Sequence, residues 1–266
     1  MKSQKTYAYE QAHSYGSQVT LVNDIYLNSL LTKLSQPQTI QPQVLEYVET
    51  LFAHLFVLSM GRELKHAKVR VATRMTAFHK DQKLDSEVID PKQKAVCVSL
   101  ARAGIPASQV GYKILNHTLQ PDLVRQDHVW AARLTDEKDQ VTGAGLGGVK
   151  IGGDVADTTV FLADPMGATG STIVTTLELY KKKFKGKKAR FVCLHLIITP
   201  EFLKNVLSAH PDIRIYALRL DRGLSPKNVL GTPPGTHWDK ERGLNDKQYI
   251  VPGAGGLGEI LNNAFV

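Results

Sequence analysis

The spacing of hydrophobic positions changes near residue 94 of the chain. Before it, residues 18–66 carry apolar side chains at three- and four-residue intervals. This spacing predicts helices over residues 23–34 and 44–64, and Pro42 is suited to the start of the second. After it, short apolar runs alternate with helical stretches. We therefore predict a helical N-terminal segment over residues 18–66, followed by an alternating α/β region.

The alternating region predicts its own strands and helices. Short apolar runs that predict strands cover residues 95–100, 129–134, 158–163, 190–198 and 214–220. Helical spacing is found at residues 106–119, after Ser171, after Pro200 and at residues 257–264. This order is typical of an α/β fold with a mainly parallel central sheet flanked by helices, right-handed crossovers and ligands at the strand ends. With 266 residues, we expect one domain, 1–266.

Composition is ordinary for a soluble globular protein, with 42% hydrophobic and 22% charged residues. No apolar run reaches the length of a membrane span, and no hydrophobic signal segment follows Met1. Cys97 and Cys193 both lie in apolar runs and are expected to be buried, reduced thiols. These features predict a cytoplasmic protein with no membrane partner.

The net charge of +8 favours anionic ligands. Much of this charge lies in the lysine-rich residues 181–188, which follow a predicted helix and complement its dipole. Aromatic residues hardly interrupt these lysines, so we do not expect nucleic acid to bind them. Residues 143–153 are so rich in glycine that they predict a mobile loop.

Residues 160–172 carry the strongest chemical signal in the chain. An apolar strand ends at Asp164, a loop of small residues follows, and a helix begins near Ser171. Amide groups at a helix start lack intrahelical partners and attract phosphate, while a carboxylate at the strand end can accept hydrogen bonds from sugar hydroxyls. The pattern therefore predicts a ribose 5-phosphate site. Its residues are Asp164, Pro165, Met166, Gly167, Ala168, Thr169, Gly170, Ser171 and Thr172.

This stretch resembles the phosphoribosyl-diphosphate motif of type I phosphoribosyltransferases, and its sequence is similar to the form found in the uracil phosphoribosyltransferase branch. Purine-using relatives usually have two adjacent acids there, whereas here Ala163 precedes a single Asp164. Residues 99–106 resemble the family's pyrophosphate loop, in which Arg102 would bind the oxyanions. Lys150 lies 14 residues before Asp164, the interval that the family shows for its mobile-loop lysine. Residues 133–137 are similar to the charged part of that loop, and Arg133 would supply its positive charge.

Residues 243–258 resemble the family's uracil-binding segment, in which exposed backbone groups match the edge of the base. The positions that the resemblance assigns to uracil are Tyr249, Ile250, Gly255, Gly256 and Leu257. The family typically has Gly-Asp-Ala where this chain has residues 255–257, so a carboxylate is missing at position 256. Glu259 follows three residues later, and we expect its side chain to point elsewhere. Residues 225–242, including His237, are an insertion that would form a flap or a subunit contact.

The resemblance implies transfer of ribose 5-phosphate from phosphoribosyl diphosphate to uracil, giving UMP and pyrophosphate in pyrimidine salvage. Asp164, Arg102 and Lys150 would be catalytic, Mg²⁺ would bind mainly through the donor, and residues 221–266 would form a hood over the base. A homodimer or homotetramer is implied as well. Two alternatives stay open because of the departure at Gly256: a transferase for another base, and a non-catalytic regulator that senses the donor or a nucleotide.

Overall fold

The computed structural model describes residues 9–135, 141–184 and 188–264, and for residues 131–135, 141–144 and 146 it describes the backbone alone. The strands are β1 (Val19–Leu21), β2 (His66–Val71), β3 (Leu84–Ile89), β4 (Lys94–Ala101), β5 (Val124–Thr135), β6 (Val141–Lys150), β7 (Thr158–Ala163), β8 (Met166–Gly167), β9 (Arg190–Ile198) and β10 (Arg214–Leu220). The helices are α1 (Ile25–Leu34), α2 (Gln43–Glu63), α3 (Gly104–Thr118), α4 (Ser171–Lys183), α5 (Pro200–Ala209), α6 (Lys227–Leu230) and α7 (Leu257–Asn262).

The central sheet has the strand order β1-β10-β9-β7-β4-β5-β6, and the short β8 pairs with the end of β9. Its neighbouring strands are parallel except for β5 and β6, which are antiparallel. Strand β7 is buried along its whole length, as expected for a central parallel strand covered on both faces. The predicted fold class, a mainly parallel sheet flanked by helices, is confirmed.

Helices cover both faces of this sheet and enclose two hydrophobic clusters. One cluster joins the sheet to α1, α2, α3 and α7 through residues such as Phe52, Leu115 and Leu257. The other joins the opposite face to α4 and α5 through residues such as Leu177 and Phe202. The three layers leave the carboxyl ends of the parallel strands as the natural place for a ligand.

Helix α2 explains the strongest apolar run of the N-terminal segment. By length and composition it could cross a membrane, which differs from the expectation that no run is long enough. One face of α2, including Val48, Phe52 and Phe56, is fully buried in the first cluster. Its packing accounts for its apolar composition. Within residues 18–66, residues 19–21 are not helical but form β1, which pairs with β10.

The glycine-rich residues 143–153 correct another expectation. Residues 143–150 are not a loop, because they belong to β6 and pair with β5 at the edge of the sheet. Glycine contributes the same backbone hydrogen bonds as any other residue, and an edge strand needs few side chains to bury. The segment therefore has no alternating apolar pattern by which to recognise a strand. The exposed hairpin of β2 and β3 was also not predicted.

Candidate functional site

A cleft of about 660 Å³ opens at the carboxyl ends of β4 and β7. Three chain segments line it: residues 100–103, 166–173 with Asp164, and 248–250 with 255–259. His195 and Phe202 complete the lining. This volume is within the usual range for a small-molecule site. The segments are far apart in the chain, and the parallel sheet brings them together at one edge.

The segment after β7 is held in place by hydrogen bonds that its backbone carbonyl groups accept. The Thr199 hydroxyl donates to the Ala168 carbonyl at 2.7 Å, and the Asn205 amide donates to the Thr169 carbonyl at 2.8 Å. Both donors lie at or on α5, on the far side of the loop. The carboxylate of Asp164 accepts from the Met166 amide at 3.3 Å. These contacts fix the loop between β7 and α4 while its small residues line the cleft.

The start of α4 is suited to an anion. Its N-cap is Gly170, with φ of 78°, which has no side chain for capping, and the Thr169 hydroxyl accepts from the Ser171 amide at 3.3 Å. A Cβ at Gly170 would approach Val206 Cγ2 to 2.6 Å, so both conformation and space require glycine. The hydroxyls of Thr169 and Ser171 lie 2.8 Å apart beside the first-turn amides. The other first-turn amides and the helix dipole together favour a phosphate at this position.

The loop after β4 lies next to the loop after β7. A Cβ at Gly104 would be 2.5 Å from the Ala163 carbonyl oxygen, so only glycine lets α3 start this close to β7. The peptide bond between Ala101 and Arg102 is cis. Arg102 is partly buried, and its Nη1 donates to the Ala264 carbonyl at 3.1 Å. A guanidinium in the wall of the cleft can bind several oxyanions at once.

The C-terminal segment is anchored to the end of β10. Arg219 donates to both carboxylate oxygens of Asp221, at 2.6 and 2.9 Å, and also to the Gly253 carbonyl at 2.9 Å. The Gly253 amide donates back to Asp221 at 2.7 Å. Arg219 and Asp221 together hold the turn that precedes residues 255–257. The result is a wall of exposed backbone groups beside Ile250 and Tyr249.

His195 was not predicted as a site residue, although it interrupts an otherwise apolar strand. It is fully buried, lines the cleft, and stacks edge-on against Phe202 with ring centroids 4.6 Å apart. Neither ring nitrogen has a hydrogen-bond partner in the described part of the chain. Burial lowers the pKa of His195 to about 4, and the nearby Asp164 backbone opposes that shift. The imidazole is therefore neutral beneath the loop.

Most predicted site residues come together in the cleft, but Lys150 and Pro165 do not line it. Lys150 is exposed at the end of β6, in register with His128, and Pro165 is buried behind the loop. Arg133 lies in β5, and its side chain is outside the described residues, as are Asp136 and Glu137 entirely. The expected roles of Lys150, Arg133 and Pro165 stay predictions.

Glu259 corrects a further expectation. Its side chain does not point elsewhere: it lines the cleft, with Oε2 only 1.6 Å from where a Cβ of Gly256 would be. The family's carboxylate is missing at position 256. The three-residue spacing between positions 256 and 259 on a short helix was the sequence signal that could have located the Glu259 carboxylate in the cleft.

The insertion packs away from the cleft. Trp238 donates from Nε1 to the Pro200 carbonyl at 3.1 Å and stacks edge-on against Tyr15. Glu241 is buried and accepts from Tyr15 and from Arg222, the latter at 2.7 Å. No residue between 225 and 242 is in the lining of the cleft described above, and His237 is exposed. The insertion therefore packs on residues 14–15, before β1, and on the start of α5.

The carboxylates that line the cleft are Asp164 and Glu259. Within residues 9–135, 141–184 and 188–264 there is no cluster of three or more His, Cys, Asp or Glu side chains arranged for a metal ion. Mg²⁺ commonly binds through one or two carboxylates together with substrate phosphates. The residues present therefore suit a cation that arrives with a phosphorylated ligand.

A cleft at the carboxyl ends of a mainly parallel sheet, with a helix start and an arginine in its walls, is typical of α/β proteins that bind phosphorylated small molecules. The model of the uracil phosphoribosyltransferase family matches residues 21–237. The chain belongs to this family.

Individual relatives match more restricted parts of the chain. The uracil phosphoribosyltransferase of Lactococcus lactis subsp. cremoris is 37% identical over 114 residues, which are 42% of this chain and 44% of that protein. The enzyme of the same name from Pyrococcus furiosus is 27% identical over 192 residues, 72% of this chain and 67% of that protein. The chain thus aligns with less than half the length of the Lactococcus relative.

One solved structure resembles this chain along nearly its whole length. The AQ2163 protein of Aquifex aeolicus has a TM-score of 0.69, with 93% of this chain and 99% of that chain covered. The two sequences are 17% identical, so the likeness concerns the fold alone.

Proposed function

We propose that this protein transfers ribose 5-phosphate from phosphoribosyl diphosphate to N1 of uracil, giving UMP and pyrophosphate. The observation that supports this most directly is the meeting of three segments in one cleft: residues 101–103, Asp164 with 166–172, and 249–250 with 255–257. Each segment provides groups for one part of the reaction: the leaving pyrophosphate, the ribose 5-phosphate and the base. Family membership supports the same reaction.

The chemistry follows from how these groups surround the reacting carbon. The bond from C1 of the ribose to the pyrophosphate oxygen breaks, the bond from N1 of uracil to C1 forms, and the N1 proton leaves to water. Positive charge develops at C1 while negative charge grows on the leaving group, so Arg102 lowers the barrier by neutralising the latter. The start of α4 holds the 5-phosphate, and Asp164 accepts hydrogen bonds from ribose hydroxyls. Both hold C1 in line with N1.

Reaction of such a donor calls for a divalent cation, and we propose Mg²⁺. When bound, it would neutralise the pyrophosphate oxygens. Asp164 is the cleft carboxylate nearest in sequence to the phosphate loop. It would bind the ribose hydroxyls of the complex between donor and cation. Lys150 lies outside the cleft, so its predicted role would require β6 to move toward the donor. We also expect the enzyme to act in the cytoplasm.

The reaction is tested by measuring pyrophosphate release from phosphoribosyl diphosphate with uracil, and then with a panel of other bases. We expect turnover with uracil. Turnover with another base alone would support a transferase of different specificity. Tight donor binding without turnover on any base would support the sensing regulator.

Replacing Asp164 with Asn tests the most specific role in this proposal. We expect kcat to fall by about 100-fold or more, because an amide is a weaker hydrogen-bond acceptor and carries no charge to balance developing positive charge at C1. Asp122→Asn, an exposed aspartate remote from the cleft, is the matched control and should retain wild-type kcat. Unchanged kcat in Asp164→Asn would remove Asp164 from the mechanism.

We further propose that the protein self-associates through the hairpin of β2 and β3. These strands pair with each other and not with the central sheet. A two-stranded hairpin is marginally stable alone in water, so a covering partner is expected. A second copy of this chain is the proposed partner.

A further inference from the structure

The carboxylate of Glu259 occupies the space that a side chain at position 256 would need. A Cβ placed on Gly256 would lie 1.6 Å from Oε2 of Glu259 and 2.9 Å from its Cδ. With any side chain at position 256, the Glu259 carboxylate would have to move. The observed position of this carboxylate therefore requires glycine at 256.

The backbone of residue 256 does not itself require glycine. Its φ of −81° and ψ of 80° lie near the inverse γ-turn region, which ordinary L-residues adopt. Gly253 and Gly255, by contrast, have φ of 65° and 72°, where glycine is favoured. The physical reason for glycine at 256 is thus the room that it leaves for Glu259.

The described part of the chain offers the Glu259 carboxylate no hydrogen bond and no ion pair. A glutamate at the third position of a helix often reaches back to the N-cap amide, here that of Gly256, but this bond is not formed. Glu259 is partly buried and faces the cleft. A carboxylate in such a position is available to a ligand.

The surroundings of Glu259 indicate which part of the ligand it meets. The first turn of α7 packs on the loop after β4, since a Cβ at Gly258 would be 3.8 Å from Ala103 Cβ. Arg102 in this loop also donates to Ala264, just beyond α7. Glu259 therefore shares a wall with the proposed pyrophosphate site. A carboxylate next to a diphosphate is repulsive unless a cation lies between them.

We propose that Glu259 binds the divalent cation that accompanies the pyrophosphate group of the donor, and that Gly256 makes room for it. This inference rests on the proposed function. One or two protein carboxylates together with substrate phosphates are the usual surroundings of Mg²⁺. Glu259 thus provides a second carboxylate in addition to Asp164, on the opposite chain segment.

Calorimetric titration with phosphoribosyl diphosphate, in MgCl₂ and again in EDTA, tests this role without relying on turnover. We expect Glu259→Gln to weaken donor binding at least about 10-fold in MgCl₂, because losing even an outer-shell partner of a metal typically costs that much in affinity. In EDTA the variant and the wild type should bind alike. Glu49→Gln, an exposed glutamate on α2, is the matched control and should bind as the wild type does.

The outcomes separate the two proposals. Equal donor affinity of wild type and Glu259→Gln in MgCl₂ would overturn the role of Glu259 and leave the proposed function intact. An equal loss in MgCl₂ and in EDTA would overturn the cation contact. Failure of the wild-type protein to bind the donor at all would overturn the proposed function, and this inference with it.

A double-mutant cycle tests the dependence between positions 256 and 259. Gly256→Ala and Glu259→Ala should each weaken donor binding in MgCl₂, because the new methyl group displaces the carboxylate and alanine at 259 removes it. In the Glu259→Ala background the same methyl group should have little further effect. Gly61→Ala, where a Cβ meets nothing within 4 Å, is the control. Additive effects of the two substitutions, in variants with wild-type thermal unfolding, would contradict the coupling.

Discussion

At the scale of single residues, His195 combines complete burial with the absence of hydrogen-bond partners for its ring within the described residues. Burial disfavours the charged imidazolium, which is why the pKa of His195 falls to about 4. The neutral ring of His195 fills space beneath the phosphate loop without adding charge. The local electrostatic field at the loop is then set by the carboxylate of Asp164 and the amides at the start of α4.

Removal of His195 should change how stability depends on pH. In the unfolded chain the pKa of a histidine is about 6.5, so between pH 6.5 and pH 4 the unfolded state binds the extra proton. The folded state therefore loses stability as the pH falls through this window, by up to about 3 kcal/mol at 1.36 kcal/mol per pKa unit. Urea denaturation of His195→Gln across this range should show a smaller loss than wild type.

Burial also lowers the pKa values of His13 and His210, so the His195→Gln variant should reduce the slope without abolishing it. The exposed His79 provides the matched control, and His79→Gln should keep the wild-type slope. Parallel curves for His195→Gln and wild type would show that His195 titrates in the folded protein as it does in the unfolded chain.

At the scale of elements, sequence patterns predicted the buried parallel strands well, since β7, β9 and β10 have the expected bounds. Continuous apolar runs identify such strands because both faces are buried. The pattern failed for β6, whose glycines give no apolar periodicity. The hairpin of β2 and β3 was also missed, although Ala67, Val69 and Val71 alternate with polar residues in β2. The donor loop was found because its chemistry is local. Glu259 was missed because its direction depends on how α7 packs.

The anchor between β10 and the base segment is the element contact that the site depends on most. Asp221 is 3% exposed and accepts from Arg219 and from the Gly253 amide. Replacing Asp221 with Ala leaves the Arg219 charge partly buried without its partner, so we expect a loss of about 3 kcal/mol in the free energy of unfolding. Urea denaturation measures this loss, and UMP binding should weaken as the 253–257 turn loosens.

Asp212→Ala is the control for the anchor. Asp212 pairs with Lys181 at 3.1 Å, but its side chain is 65% exposed, and exposed pairs contribute less than about 1 kcal/mol. If Asp221→Ala were as stable as Asp212→Ala, the hydrogen bonds of Asp221 would not be responsible for holding the 253–257 turn in place.

At the scale of the whole molecule, two parts extend beyond the sheet and its helices. The insertion at 225–242 folds back on the chain through the buried pair of Arg222 and Glu241. The hairpin of β2 and β3, by contrast, extends into solvent. Its apolar residues Met75 and Phe78 are 56% and 78% exposed. Sequence patterns could not separate these cases, because tertiary packing decides which of the two segments is covered.

The hairpin therefore provides the test of self-association. Exposed apolar clusters usually mark surfaces that contact a partner, and burying Met75 and Phe78 in a second copy would remove them from water. We expect sedimentation velocity to show a dimer or larger species for the wild type, and a shift toward the monomer for the double variant Met75→Ser with Phe78→Ser. Ile25→Ser is matched in exposure, at 79%, and should not shift. Since the cleft lies within one chain, the monomeric variant should still bind the donor. An unchanged sedimentation coefficient in the double variant would place the contact elsewhere on the surface.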